Sequence, residues 1–412
     1  MNSNQPRSME KLITTAFFVV TIFVFGLLSA ARWTISSKTI STDEKRRLAG
    51  CPHLRLNRQS IAAFPAGFTL FYNDRFAFRN ALLSTINLAQ YKIFGFSTSP
   101  RVLTGRNDWL FFLDGGDAEI LRGVPAITQN EIGFFVRLFE ARRAWLAARN
   151  IRYVVFFPPS KCSIYSEKIP AGFAEPNKRS RQDEVLAALK ANTRVEAVDI
   201  RPALLSGKKV ARMYFKTDTH WNRLGAFVGY LAVINRIREW FPSIKPLTDR
   251  DLRMYDYNFG NGDLACMMGL RDLIPEVSCA CCIEKQRAHF SSNPALPKLT
   301  DESHHKDPFA TEVNDPALPS ALCFRDSFMQ MSFLYFGENF RRIRYQWEFD
   351  FPTAIIEKEK PDIVIQEITE RCLARSGLFN NPPEVERMIP SQLFAVRPGD
   401  EQLAQTKIVG TN

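Results

Sequence analysis

A long uncharged stretch near the N-terminus is the feature that most limits how this chain can fold. The segment Leu12–Ala31, LITTAFFVVTIFVFGLLSAA, has no charged residue and lies between Lys11 and Arg32. About 20 apolar residues in a helix cross a hydrocarbon layer of roughly 30 Å. The stretch is longer than the apolar part of most cleaved signal peptides. We therefore predict an uncleaved N-terminal transmembrane helix within residues 1–35, with cleavage after LSA as the alternative.

The residues around the apolar stretch bear on its orientation in a membrane. Basic residues flank the stretch on both sides, so the positive-inside rule does not decide its orientation. A short N-terminus followed by one span and a large domain favours an exported domain.

The net charge of the chain, +11, is compatible with an anionic partner. Nucleic acid is not predicted, because no zinc-finger spacing, aromatic RNA-binding motif or long basic helix occurs. An acidic polymer outside the cytoplasm fits better.

The eight cysteines include a cluster, CACC, at residues 279–282. This cluster lacks the paired CxxC spacing of a zinc site, so no metal centre is predicted. Cysteines of an exported domain are commonly oxidised. We therefore predict a disulfide from the cluster to Cys51 or Cys266.

Beyond the first helix, strand-like apolar runs alternate with helical patterns, which predicts an α/β fold with a mainly parallel sheet covered by helices on both faces. The predicted organisation is an anchor at 1–35, a linker at 36–66, one domain at 67–375 with an irregular insertion at about 246–319, and a tail at 376–412. A hairpin is predicted at 105–117, and a turn followed by a helix at 64–95. The remaining predicted helices are 129–150, 181–192, 223–241 and one from about Phe328; the predicted strands are 151–159, 195–200, 211–215, 321–324, 341–349 and 361–370.

One of only five histidines lies in the motif MYFKTDTHWN, residues 213–222. His220 follows Asp218 by two residues, just past the strand-like ARMYF. A carboxylate next to a histidine fixes the imidazole tautomer and prepares the other ring nitrogen to act as a base. An Asp-x-His pair alone also fits a surface turn, so the interpretation depends on a nucleophile elsewhere in the chain.

The best candidate nucleophile is Ser327, in the motif CFRDSFMQ. An apolar strand precedes it and a predicted helix follows. Backbone N–H groups at a helix start have no intrahelical partner and can donate to an oxyanion. A simple helix cap is the alternative for the Arg-Asp-Ser turn. Because ligands bind at the carboxyl ends of parallel strands, both motifs are predicted to face one crevice, with Asp218, His220 and Ser327 as a catalytic triad.

The stretches YFKTDTHWN and LCFRDSF resemble the two active-site blocks of the SGNH-hydrolase-like family of polysaccharide O-acetyltransferases, the alginate O-acetylation proteins of AlgJ/AlgX type. YNDRFAFRN, GRNDWLFF, PPSKCSIYSEKIP and PDIVIQEITER fit the same order, so the resemblance covers about Phe68 to Arg371 and is closer to the AlgJ type. It implies that Asp218, His220 and Ser327 form the triad. Arg325 stands where the family often has glycine.

The resemblance further implies acetyl transfer through an acetyl-serine, without a cofactor. The implied acceptor is a polysaccharide, and the implied donor is a membrane-bound O-acyltransferase in the inner membrane, with the catalytic domain in the periplasm. Further substrate contacts are predicted at Trp221, Lys161, Tyr165 and Arg325, with a buried core or turn role as the alternative. An acetyl esterase and a non-catalytic glycan-binding protein remain alternatives. The sequence does not name the polymer.

Overall fold

The computed structural model of the protein describes residues 6–35, 39–41, 46–76, 78–122, 127–171, 179–292 and 306–374. It divides into two compact units. The N-terminal unit comprises Met1–Val102 and Gly260–Pro275, and the sheet unit comprises Leu103–Phe259 and Glu276–Asn412. The tail predicted at 376–412 lies outside the described residues.

Helices and strands alternate along most of the described chain. The helices are α1 Pro6–Ile35, α2 Arg58–Arg75, α3 Arg79–Phe94, α4 Gly116–Arg122, α5 Gln129–Ala147, α6 Lys161–Ile164, α7 Arg181–Asn192, α8 Arg201–Gly207, α9 Arg223–Ile237, α10 Asp263–Met267, α11 Phe333–Gly337 and α12 Thr353–Glu359. The strands are β1 Ile40–Ser41, β2 Arg46–Arg47, β3 Val102–Thr104, β4 Leu110–Phe112, β5 Arg152–Phe156, β6 Glu196–Val198, β7 Leu252–Phe259, β8 Glu276–Ile283, β9 His289–Phe290, β10 Phe309–Glu312, β11 Ser320–Arg325, β12 Arg342–Trp347 and β13 Ile363–Glu367.

The N-terminal unit begins with the predicted apolar helix, α1. Within it, Met9–Leu28 is long and apolar enough to cross a membrane. The predicted linker at 36–66 differs from the structure, because α2 already begins at Arg58. The side chain of Asn57 accepts a hydrogen bond from the Ser60 amide at 2.7 Å and so caps this helix. Pro65, where a turn was predicted, lies inside α2.

A seven-stranded sheet forms the centre of the sheet unit, in the order β6-β5-β13-β11-β12-β10-β9. Neighbouring strands from β6 to β12 are parallel, whereas β10 and β9 extend the sheet with antiparallel pairs. Successive side chains of a strand point to opposite faces. Along β5, Val154 and Phe156 belong to the core beneath α8, α9 and α11, while Tyr153 and Val155 belong to the core beneath α5, α7 and α12. The prediction of a mainly parallel sheet with helices on both faces is confirmed.

The segment predicted as an irregular insertion, 246–319, is more regular than expected. β7 and β8 pair antiparallel in one register from Leu252↔Ile283 to Phe259↔Glu276. β9 and β10 join the main sheet. β7 is largely exposed and includes Arg253, Asp256 and Asn258, so no apolar alternation marks it as a strand.

The cysteine cluster lies on β8 and contains no disulfide. Cys279, Cys281 and Cys282 are free thiols, so the predicted bridge to Cys51 or Cys266 is wrong. The strand places Cys281 in the core, with its sulfur 3.0 Å from the hydroxyl of Tyr335. Burial raises the pKa of the Cys281 thiol to about 11. This thiol is therefore a packed core group.

Candidate active site

Ser327 follows the end of β11, a central strand of the sheet. The chain turns there because the buried carboxylate of Asp326 accepts hydrogen bonds from the amides of Phe328 and Thr369, each at 2.9 Å. Ser327 itself is only partly buried. The turn therefore holds this hydroxyl in one place while leaving it accessible.

The helix predicted after Ser327 is shorter than expected. A 3-10 turn, Phe328–Met331, comes first, and the five-residue α11 follows. The amide of Phe328 is already bonded to Asp326, so it is not the oxyanion donor that a regular helix start would offer. Among the residues that the structure describes, the amide of Ser327 has no hydrogen-bond acceptor. This amide is the available donor beside the hydroxyl.

His220 lies in residues 213–222, which we call the acid–base loop. The prediction that this segment ends a strand of the sheet is wrong. Tyr214 and Trp221 form an isolated antiparallel bridge, and the amide of Asn222 bonds the carbonyl of Met213 at 2.9 Å. The segment thus folds back on itself. α9 can begin directly after it because residue 225 is glycine, where a Cβ would collide with the Met213 carbonyl oxygen.

The structure brings together the three residues predicted as a triad. His220 Nε2 lies 2.8 Å from Ser327 Oγ, and His220 Nδ1 lies 2.7 Å from Asp218 Oδ1. The same carboxylate oxygen accepts the His220 amide at 2.8 Å, which fixes the ring relative to its own backbone. A carboxylate on Nδ1 assigns the proton to that nitrogen. Nε2, which lies next to the Ser327 hydroxyl, is then the nitrogen that accepts the serine proton.

Trp221 joins the acid–base loop to the serine turn. Its indole N–H donates to the carbonyl oxygen of Phe328 at 2.9 Å. The ring of Phe328 lies 4.9 Å from that of His220, centroid to centroid. Trp221 is only 1% exposed, so it is a core residue that ties the two segments together rather than a stacking surface for a sugar.

Lys161 holds the acid–base loop from within the core. Its ammonium group donates to the carbonyl oxygens of Phe215 at 3.2 Å, Lys216 at 3.0 Å and Asp218 at 2.6 Å. The residue is 5% exposed and its donors face the loop backbone, so the structure gives it a supporting role, while its contact with a substrate stays a prediction. A buried charge is costly unless it is hydrogen-bonded, and here the loop backbone supplies the acceptors.

A buried carboxylate holds the amides of the same loop. Glu276, at the start of β8, accepts hydrogen bonds from the amides of Lys216 at 2.9 Å and Thr217 at 2.8 Å, and from the Thr217 hydroxyl at 2.7 Å. The loop cannot use sheet hydrogen bonds because it lies outside the sheet. The ammonium group of Lys161 therefore donates to carbonyls of the loop, and the carboxylate of Glu276 accepts from its amides.

Two other predicted substrate contacts are also buried. The hydroxyl of Tyr165 accepts the amide of Met213 at 2.9 Å, so this side chain supports the acid–base loop. The guanidinium of Arg325 lies over the rings of Phe309 and Trp347, at 5.1 and 5.3 Å from their centroids. Both side chains are buried. They therefore take the buried structural role that was the alternative to a substrate contact.

Sequence reasoning missed the role of the buried acid beneath the serine turn. Glu367, at the end of β13, accepts the amide of Asp326 at 2.9 Å and is fully buried. Burial, together with the neighbouring Asp326 carboxylate, raises the pKa of Glu367 well above its usual range. The available signal was an acidic residue inside the apolar run PDIVIQEITE.

We expect Glu367→Gln to keep the fold and to remove a pH-dependent loss of stability. A carboxyl group whose pKa is higher in the folded than in the unfolded state stabilises the fold at a pH below its unfolded-state pKa. That stabilisation is lost as the pH rises towards its folded-state pKa. Glutamine retains an acceptor for the Asp326 amide and never ionises. In thermal unfolding at about pH 5 and about pH 8, the melting temperature of the variant relative to that of the wild type should be higher at about pH 8.

Glu276→Gln is the matched control, because the carboxylate of Glu276 accepts three donors and an amide group would place N–H against N–H. We expect this control to be destabilised at both pH values. A Glu367→Gln protein whose stability falls with pH in parallel with the wild type would contradict the role given to the buried acid.

Residues 102–298 match the family described as "SGNH hydrolase-like domain, acetyltransferase AlgX". This part of the chain resembles an SGNH hydrolase-like domain. The matched part includes Asp218 and His220, whereas Ser327 lies beyond it and is placed by the geometry above.

Two curated relatives match part of this chain. A protein of Azotobacter vinelandii named "Probable alginate O-acetylase AlgJ" is 28% identical over 170 residues, which is 40% of this chain and 41% of the relative. A Pseudomonas aeruginosa protein of the same name is 25% identical over 178 residues, or 43% of this chain and 44% of the relative. The matched segments thus span less than half the length of either relative.

Solved structures also align with this chain. Bacillus cereus PatB1 is 18% identical, with 66% of this chain and 96% of that chain covered and a TM-score of 0.49. The O-acetyltransferase domain of Pseudomonas putida AlgJ is 16% identical, with 71% and 97% covered and a TM-score of 0.45.

Proposed function

We propose that this chain is an O-acetyltransferase that acts on a cell-envelope or secreted polysaccharide through an acetyl-serine intermediate. One observation carries the proposal: the unbroken hydrogen-bonded series from Asp218 through His220 to Ser327, with both contacts below 3 Å. That series is the arrangement that activates a serine hydroxyl for acyl transfer. The family description and the names of the relatives support acetyl as the group transferred.

Each step has a residue to hold the proton. As Ser327 Oγ attacks the carbonyl carbon of an acetyl donor, His220 Nε2 takes the hydroxyl proton and then gives it to the leaving group. The negative oxygen of the intermediate faces the Ser327 amide, which has no acceptor among the described residues. A sugar hydroxyl next attacks the acetyl-serine and loses its proton to His220. The ester bond to Ser327 breaks, and its oxygen recovers a proton from His220.

The proposed setting is the cell envelope. α1 anchors the chain in the inner membrane, and the SGNH-like domain lies in the periplasm, where a membrane-bound O-acyltransferase supplies the acetyl group. The reaction requires no cofactor. The relatives' names and the net charge of +11 favour an acidic polysaccharide such as alginate as the acceptor.

A purified full-length chain tests the proposal when it is given a chromogenic acetyl ester with and without an acidic oligosaccharide. We expect the ester to be cleaved, one acetyl group to appear on the peptide containing Ser327, and acetylated oligosaccharide to form. Acetate as the sole product would indicate an esterase instead. A chain that neither cleaves the ester nor gains an acetyl group would exclude the catalytic proposal and favour a glycan-binding role.

A further inference from the structure

An apolar stripe on α3 faces away from the rest of the N-terminal unit. Leu82, Ile86, Ala89 and Ile93 follow a spacing of four, three and four residues, which places them on one face of the helix. In a globular protein such a face is normally buried. Here Leu82 is 43% exposed, Ile86 59% and Ile93 71%. The residues that follow the helix continue this surface, because Phe94 and Phe96 are also exposed.

The start of α3 lies against the apolar helix α1. The ring of Phe25 stacks on that of Phe76 at 5.5 Å and meets Phe78 edge-on at 6.2 Å. Phe25 is three residues from the end of the candidate span Met9–Leu28, or about 4.5 Å along the helix axis. If α1 crosses a bilayer, Phe76 and Phe78 just before α3 lie at the boundary between hydrocarbon and headgroups, where phenylalanine is common on the apolar face of interfacial helices.

The charges of α3 suit the surface of an anionic membrane. The helix contains no acidic residue, and basic residues stand at its ends, Arg79 and Lys92. The ammonium group of Lys92 lies 5.5 Å from the ring centroid of Tyr91, so its stem covers an aromatic face while its charge can reach lipid phosphates. An apolar stripe flanked by cations is the pattern of a helix that lies in the membrane interface.

We propose that α3 lies on the lipid bilayer beside α1, with Leu82, Ile86 and Ile93 inserted at the boundary between headgroups and acyl chains. The contact of Phe25 with Phe76 makes this surface continuous with the span, which selects lipid over a second copy of the chain or another protein. The inference rests on the proposed membrane anchoring of α1. It does not depend on the proposed catalysis.

The full-length chain in vesicles of phosphatidylethanolamine and phosphatidylglycerol tests this inference when some acyl chains carry a photoreactive diazirine. After illumination, peptide mass spectrometry should find lipid on α1 and on the α3 stripe. Val210 is an isolated apolar residue that is 90% exposed on the sheet unit, and it should remain unlabelled. Labelling of α1 without α3 would overturn the inference while leaving the anchor intact, and labelling of neither would overturn both.

Ile86→Asp and Ile93→Asp sharpen the test. Both side chains are exposed, so the fold should tolerate the change, whereas a carboxylate at the acyl boundary is unfavourable. We expect several-fold less lipid on α3 and unchanged labelling of α1, with Val210→Asp as the matched control. Unchanged labelling of α3 in both variants would refute lipid as the partner of the α3 stripe.

Discussion

Ser327→Ala is expected to lower ester cleavage and acetyl transfer by about two to four orders of magnitude or more. The hydroxyl 2.8 Å from His220 Nε2 is the atom that would carry the acetyl group, and alanine removes it. The side chain is partly exposed and small, so the change leaves no large cavity. The measurements are kcat/KM with a chromogenic ester, and the mass of the protein after reaction with it.

Ser206→Ala provides the control, because this serine is exposed on α8 and takes no part in the proposed site. Its activity and melting temperature should match those of the wild type. The Ser327→Ala protein should melt at the same temperature but acquire no acetyl group. A folded Ser327→Ala protein that keeps wild-type activity would exclude Ser327 as the nucleophile.

Lys161→Met is expected to give the second-largest effect. Methionine fills a similar volume but removes the three hydrogen bonds to the carbonyls of the acid–base loop. Each buried polar group left unsatisfied costs about 1–3 kcal/mol, so the melting temperature should fall. The loop also positions His220, and a displacement of about 1 Å can cost about a hundredfold in rate. We expect kcat to fall by about tenfold to a hundredfold, with KM for a small ester little changed.

Lys208→Met is a matched control, since Lys208 also donates to a backbone carbonyl, that of Ile164, and lies over the Tyr165 ring, but makes no hydrogen bond to the acid–base loop among the described residues. It should reduce stability slightly and leave kcat unchanged when measured well below its melting temperature. Lys161→Arg, which keeps the charge and the donors, should recover part of kcat. If Lys161→Met folds and retains the wild-type kcat, the loop does not need the buried ammonium.

Local patterns explain what could be predicted from the sequence. α7 coincides with its predicted range, 181–192, because a serine cap and an apolar period stand next to each other in the chain. The parallel strands follow apolar runs bounded by turn residues. The pairing of His220 with Ser327 was predictable because few histidines occur and because both lie in short motifs that resemble one family.

Contacts between distant residues explain what could not be predicted. The acceptors of Lys161 lie more than fifty positions further along the chain, so nothing near Lys161 marks it as a support of the acid–base loop. The aromatic rings around Arg325 come from two other strands. The sequence predicts a linker over the first half of α2 because Pro65 is typical of a turn. In the structure, the cap at Asn57 determines where the helix begins.

The position of β11 has a consequence for the order of events during synthesis. The strands that flank it, β12 and β13, are both encoded after it, so the serine turn gains its neighbours only once Glu367 has left the ribosome. The histidine-containing segment emerges about a hundred residues before Ser327 and meets the serine turn only after these strands have paired, because non-local strand pairing forms late. A chain that stops before Glu367 therefore lacks the strands that hold the serine turn, and we expect it to acquire no acetyl group on Ser327.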